Sequence, residues 1–252
     1  AYPDETPIYE DEENQFYVGA NHSVFTKRKL VVPKLYLDCR INPSGMSVEL
    51  ADSIKLLEPF GNGNPAPLFG IFEATLDSIS AIGGGKHLRL LFSRGINSFQ
   101  AMLFGVSTDN FCFKVGDNLD LAVNVEASLF RGEYSVSVLI KAIRMSDTYD
   151  DSLFESVSEY NNYMSGNRFN VDMICPTREE VGEIYKKITE EEVLPDRIKY
   201  IFMNKIGFAK VSVSLTVLEE LGLIVKTDNN SRVIRIIFLN FIFFPLNFFI
   251  GI

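Results

Sequence analysis

The run LLEPFGNGNPAPLF, Leu56 to Phe69, constrains this chain more than any other stretch. It places two glycines, two asparagines and three prolines between apolar ends. Proline removes a backbone donor and glycine costs the most entropy to order, so neither a helix nor a central strand passes through such a run. On its N-terminal side the spacing is helical. Ser47 is placed to cap a helix whose Leu50, Ile54 and Leu57 recur at i, i+4 and i+7, and Pro59 with Gly61 stops it. On its C-terminal side the apolar residues have period two. Residues 59–69 are therefore expected to form an elbow between a helix and a β-rich unit.

The alternation is read strand by strand. In GIFEATLDSIS, Phe72, Ala74 and Leu76 alternate with Glu73, Thr75 and Asp77. In KHLRLLF, Leu88, Leu90 and Phe92 alternate with Arg89 and Ser93. Leu119, Leu121, Val123 and Val125 share one face of NLDLAVNVE, with Asp120, Asn124 and Glu126 on the other. Tyr134, Val136, Val138 and Ile140 share a face further on, and NSFQAMLFG adds a fifth strand. Five strands over residues 70–145, joined by Gly-bearing turns, fit a small closed barrel of OB type better than a seven-stranded sandwich.

The period returns to helical after an acidic segment read as a linker over 146–175. Val181, Ile184, Tyr185 and Ile188 form one stripe, Ile198, Ile201 and Phe202 a second, and Val211, Leu215, Leu218 and Leu221 a third that ends at Gly222. LIVKT, DNNS and RVIRII then read as a hairpin, so 176–237 has winged-helix order. The expected class is α+β: an OB-type barrel, then a helical winged-helix-like domain, preceded by a short α/β portion within 1–58 whose acidic start is a loose lead-in.

Residues 238–252 close an oddly apolar tail. From Ile236 to Ile252 it has 17 residues, interrupted by Asn240, Pro245 and Asn247. A spanning helix needs roughly 20 apolar residues. Out-of-frame translation of AT-rich DNA fits this vocabulary better than a membrane span; a strand with a buried tail is a third reading. Cys39, Cys112 and Cys175 form no CxxC pair, which fits reduced structural thiols and a cytoplasmic protein. The chain has no secretory signal pattern and reads as a fragment that begins mid-protein. A net charge of −9 excludes a protein that coats nucleic acid with its whole surface, though not one with a local basic groove.

LLEPFGNGNPAPLF resembles the LePFGxGNPxPxF signature that joins the DHHA1 and OB domains of RecJ-type single-strand-specific exonucleases. PKLYLDCRI, Pro33 to Ile41, is similar to that family's PxLxIDxxL strand. KHLRLLF is similar to its HLKL strand, and SLFRGEYSVSVLIKAIR, Ser128 to Arg144, to its NxxRGxxxVQLxIxDIR strand. The resemblance covers roughly 29–235 and makes the α/β portion the end of a DHHA1-like domain. It implies a 5′→3′ single-stranded DNA exonuclease of repair and recombination, with Mn²⁺ or Mg²⁺ in the full-length enzyme. The chain departs from the family pattern in lacking Asp-His-His and Gly-Gly-His runs, having only His22 and His87, and carrying Ser128, Ser137 and Ala142 at positions where the family often differs. No catalytic or metal-binding residue is assigned, and the polypeptide alone is expected to be inactive.

What remains is holding DNA. A single strand is gripped by cations along its backbone and by aromatic rings that stack its bases. The candidates are Lys86, His87 and Arg89 after the Gly83-Gly84-Gly85 turn, Phe104 and Phe130 as stacking rings, and Arg131 and Tyr134 around the last hairpin. Each has a plainer reading: Phe104 as core, Lys86 and Arg89 as a solvated face, His87 as a turn cap. Seven bases and seven acids lie in 70–145, so only segregation of charge would create a groove. In the helical region, Lys210, Lys226, Arg232 and Arg235 could touch duplex DNA, or the domain could be a docking platform. The expected partners are single-stranded DNA, a single-stranded-DNA-binding protein and the missing N-terminal catalytic domain, with no membrane. The alternative function is a non-catalytic protein-interaction module on the same scaffold.

Overall fold

The computed structural model describes residues 15–17, 34–130, 133–148, 150–190, 193–228 and 232–236. The apolar tail, Arg131 and most of the acidic lead-in lie outside them.

Two short strands, β1 (Gln15–Tyr17) and β2 (Lys34–Tyr36), pair antiparallel, and β3 (Cys39–Arg40) comes next. Helix α1 (Val48–Lys55) begins where its cap predicts: the Ser47 hydroxyl accepts from Leu50 N–H at 3.3 Å. It stops at the elbow, which is locked by its own amides. Gly61 and Asn64 exchange backbone hydrogen bonds of 2.8 and 3.1 Å around Gly63, whose φ is +89°. The Asn64 side-chain amide donates back to the carbonyls of Leu57 and Pro59, at 2.9 and 3.0 Å. At the exit, the Asp38 carboxylate accepts from Leu68 N–H at 2.7 Å, and Asn124 donates to the Pro67 carbonyl at 2.7 Å. The carbonyls of Leu57, Pro59, Gly61, Asn64 and Pro67 thus find donors within the chain.

Five long strands then close a barrel: β4 (Phe69–Ile82), β5 (His87–Arg94), β6 (Asn97–Phe104), β7 (Asn118–Phe130) and β8 (Glu133–Met145). The order is β4-β5-β6-β8-β7, with β7 returning to β4. All pairings are antiparallel except β6 with β8, which run parallel through Met102 and Leu139; β3 adds a parallel edge to β4. This is the closed mixed barrel of the OB fold. Leu76, Leu88, Leu90, Phe92, Leu119 and Leu121 fill it with no exposed surface.

Two readings of the alternation change. A bulge between Ile71 and Ala74 inverts the face of β4, so Ile71 enters the core and Phe72 packs outside with Leu37. Glu73 absorbs the extra residue at a φ of +57°, and its N–H donates to Asp120 at 3.1 Å. Two of the three outward polar residues of β7 are not solvated either, whereas Glu126 is exposed as expected. Asp120 is buried and accepts from the equally buried Arg144 at 3.2 Å, and Asn124 holds the elbow.

Residues 146–175 are not a linker. They hold α2 (Asp150–Met164) and α3 (Val171–Ile174). Leu153, Val157 and Tyr160 recur at i, i+4 and i+7 and, with Ile174, join the barrel's own core. Helices α4 (Arg178–Glu190), α5 (Pro195–Ile206) and α6 (Phe208–Glu220) come after them, then the antiparallel pair β9 (Ile224–Asp228) and β10 (Arg232–Ile236). Their own core includes Ile184, Ile188, Ile198, Phe202, Leu215 and Ile224. Tyr200, Met203, Phe208 and Ala209 instead pack into the barrel's core, and the Phe113 and Tyr200 rings lie 5.1 Å apart. Among the described residues no helix is long and apolar enough to cross a membrane.

Candidate nucleic-acid interface

The β5–β6 hairpin is in unbroken register, pairing His87 with Phe104, Arg89 with Met102, Leu91 with Gln100 and Ser93 with Ser98. Leu88, Leu90, Phe92, Ala101 and Leu103 point into the barrel, so strand alternation sends these four pairs outward. This is the face on which OB folds hold oligonucleotides. Phe104 is 55% exposed and is not a core residue. Lys86 and Arg89 are exposed beside it.

His87 sets the geometry at one end. Its Nδ1 accepts from Gly105 N–H at 3.0 Å, which leaves Nε2 to carry the ring's N–H. The imidazole meets the Phe104 ring edge-on, with centroids 5.0 Å apart and planes at 72°. His87 thus holds the backbone at Gly105, just past the end of β6, and orients the exposed ring. Gly83, Gly84 and Gly85 all take left-handed φ values. At Gly83 a Cβ would sit 2.9 Å from His87 Cδ2.

The remaining candidates are set apart. The parallel pairing of Met102 with Leu139 puts the start of β8 level with the β5–β6 turn, at the opposite end of the strands from His87 and Phe104. Phe130 ends β7 there, opposite Glu133. Tyr134 shares the parity of Val136 and Val138 but stands at the start of β8. It is 62% exposed, with Lys55 Nζ 5.9 Å from its ring centroid. It does not share the Phe104 face.

Two of the barrel's acids are neutralised by ion pairs. Asp120 is taken up by Arg144, and Asp117 by Arg197. Among the described residues Lys86, Arg89 and Arg94 make no ion pair; Lys86 lies in the turn before β5, Arg89 on its outer face, and Arg94 at its end with the parity of Leu90 and Phe92. Asp77, an acid on the hairpin's flank, accepts from Ser93 Oγ at 2.9 Å.

The helical module offers less. Lys210 Nζ donates to both carboxylate oxygens of Glu180, at 3.0 and 3.3 Å. Helix α6 buries Phe208 and Ala209 in one core and Val211, Leu215 and Leu218 in the other. Its Lys210 is therefore engaged and most of its surface covered. The side chains of Lys226, Arg232 and Arg235 lie outside the described residues. No three His, Cys, Asp or Glu converge as a metal site among the described residues, so the divalent ions implied by the resemblance find no fitting ligand set here.

Sequence reasoning missed Leu91, Gln100, Met102 and Ile96. The first three were recoverable from the alternation of LRLLF against FQAMLF; the fully exposed Ile96 sits in the turn between them.

Residues 37–142 match the family model described as the RecJ OB domain. Among solved structures, RecJ from Thermus thermophilus in complex with Mg²⁺ is 20% identical over 48% of this chain and 18% of that chain, with a TM-score of 0.38. The same protein in complex with Mn²⁺ is 15% identical over 74% of this chain and 35% of that chain, with a TM-score of 0.37. A small single-stranded DNA-binding protein from Streptomyces coelicolor is 15% identical over 31% of this chain and 92% of that chain, with a TM-score of 0.23. This chain thus spans well under half the length of the two RecJ structures. No curated protein matches the sequence.

Proposed function

Taking residues 37–142 as a RecJ-type OB domain, we propose that the outer face of β5 and β6 binds single-stranded DNA, as the C-terminal part of a RecJ-like 5′→3′ single-strand exonuclease of repair and recombination. One observation carries this reading. Lys86 and Arg89, which make no ion pair among the described residues, stand beside the exposed Phe104 ring, which His87 orients. The cations neutralise phosphates and release counterions, while a base stacks on Phe104, a contact of about 1–3 kcal/mol. Cleavage belongs to a catalytic domain that would supply the Mn²⁺ or Mg²⁺ site.

The β9–β10 hairpin after three helices supports a winged-helix-like reading of the C-terminal module. We read that module as a docking platform, for instance for a single-stranded-DNA-binding protein, and not as a reader of duplex DNA. The engagement of Lys210 by Glu180 and the covered surface of α6 favour this.

The test is a fluorescence-anisotropy titration of oligo(dT) at several salt concentrations. The wild-type chain should bind with an affinity that falls as salt rises. The triple variant Lys86→Ala, Arg89→Ala, Arg131→Ala should lose about tenfold or more in affinity and show a shallower salt slope. An unchanged curve would defeat the site assignment.

A further inference from the structure

Ile96 sits at the tip of the β5–β6 hairpin and is 100% exposed. The turn is a two-residue loop between the paired Arg94 and Asn97. Gly95 supplies the left-handed conformation, at a φ of +60°, and Ile96 needs none. The fold therefore places no demand on the side chain at 96. Asn, Asp, Ser or Gly serve such tips at less cost in exposed apolar surface. A β-branched aliphatic residue there gains nothing from packing within the chain.

Its surroundings point to an occupant. The same hairpin carries the exposed Phe104 at its far end, and Leu91 and Met102 outward between. It also carries Arg89 and Arg94, which make no ion pair among the described residues of a chain with net charge −9. Phe104, Met102 and Leu91 lie beside Arg89 on the outer face, and the Ser93–Ser98 pair separates them from Ile96; apolar surface beside unpaired cations fits a polyanion with apolar faces. An unpaired nucleic acid strand has that chemistry; an acidic peptide offers the charge without regularly spaced rings.

We propose that Ile96 is an apolar wedge that packs against a base of the bound strand, so that Phe104 and Ile96 bracket the site at its two ends. The wedge rests on the reading of β5–β6 as a single-strand site. The paired strands run from His87 to Arg94, about 23 Å at roughly 3.3 Å per residue. That length accommodates several nucleotides and falls within the roughly 4–16 nucleotides held by single OB folds.

The experiment compares the wild-type chain with Ile96→Ser and Ile96→Leu on (dT)3 and (dT)15 across a salt series. Thermal unfolding confirms that each variant folds, as a fully exposed side chain should permit. Ile96→Ser should weaken (dT)15 binding about fivefold, the scale of partly burying one aliphatic side chain. It should leave (dT)3 binding and the salt slope unchanged, because an apolar contact releases no counterions. Ile96→Leu should retain wild-type affinity. If Ile96→Ser binds (dT)15 as the wild type does while the Lys86, Arg89, Arg131 variant loses binding, the wedge alone is overturned. If the wild type does not bind, or the triple variant binds normally, the single-strand reading falls and the wedge with it. A steepened or flattened salt slope in Ile96→Ser also overturns the wedge.

Discussion

Arg197 on α5 grips Asp117, in the turn leading into β7, through both terminal guanidinium nitrogens; Nη2 donates to Oδ1 at 2.9 Å, and Nη1 to Oδ2. Both side chains are largely buried. Asp117 also accepts from Lys114 N–H at 2.8 Å, which fixes the turn. A planar fork on a carboxylate is rigid in orientation as well as distance. With Phe113 against Tyr200, it fastens the helical module to the barrel.

Arg197→Ala should therefore destabilise the whole chain by about 2–4 kcal/mol, since it strands a buried carboxylate. Urea unfolding should remain one transition, monitored by both far-UV circular dichroism and tyrosine fluorescence, with a lowered midpoint. Two resolved transitions in the wild type would mean that barrel and helices fold separately.

The elbow offers a sharper local test. Asn64→Ala removes the two bonds to Leu57 and Pro59 at an exposed site and should cost about 1 kcal/mol. Asn124→Ala leaves the Pro67 carbonyl without its partner in a buried setting and should cost about 2 kcal/mol. Chemical denaturation of the two variants checks the order; equal and negligible costs would show that the elbow is not held by these amides.

Much of this was written in the sequence. Ser47, the elbow and Gly222 fall where backbone chemistry requires them: Leu223 N–H and Gly222 N–H close α6 on the Leu218 and Glu219 carbonyls, both at 2.9 Å. Strict alternation in β5 assigned its faces correctly because nothing interrupts its register. Alternation failed in β4, where a bulge at Glu73 inserts a residue that no local pattern announces. It also misjudged Asp120 and Asn124, since a polar residue facing away from a barrel looks the same in sequence whether water or Arg144 lies beyond it. Helix α2 was hidden by its acidic and serine content, although the Leu153, Val157, Tyr160 stripe was there to be read. Thr177 and Glu180 form a reciprocal cap on α4, with bonds of 2.6 and 3.2 Å, whose spacing was equally legible. In the site, His87, Arg89 and Phe104 meet through registry between strands, which composition cannot give.

Gly83 and Gly84 separate strain from crowding. Both hold left-handed φ values, at +60° and +68°, but only at Gly83 does a Cβ meet His87; at Gly84 it meets open space. Gly84→Ala should cost about 1 kcal/mol from backbone strain alone. Gly83→Ala should cost more, and should displace the imidazole that orients Phe104. Thermal unfolding, with the His87 ring resonances followed by NMR, checks both; equal costs and an unmoved ring would contradict the contact.

The thiols should divide by burial. Burial pushes the Cys112 thiol well above its ordinary pKa, with Asp196 adding to the shift, while Cys39 and Cys175 are exposed. Because the thiolate is the reactive form, a raised pKa lowers reactivity at any pH below it. Cys39 is also raised, by partial burial and then by Asp38. At pH 8 a disulfide reagent should modify Cys175 first, Cys39 more slowly, and Cys112 only on unfolding. Rapid modification of all three in the native chain would contradict the packing around Cys112.

The central claim is that single-stranded DNA lies on the outer face of β5 and β6. An amide chemical-shift titration of the ¹⁵N-labelled chain with oligo(dT) tests it most directly. The predicted result is a contiguous set of shifts at Lys86, His87, Arg89, Met102, Phe104 and Gly105, with the α4–α6 amides unmoved. Shifts confined to the helical module, or none at saturating oligonucleotide, would contradict it.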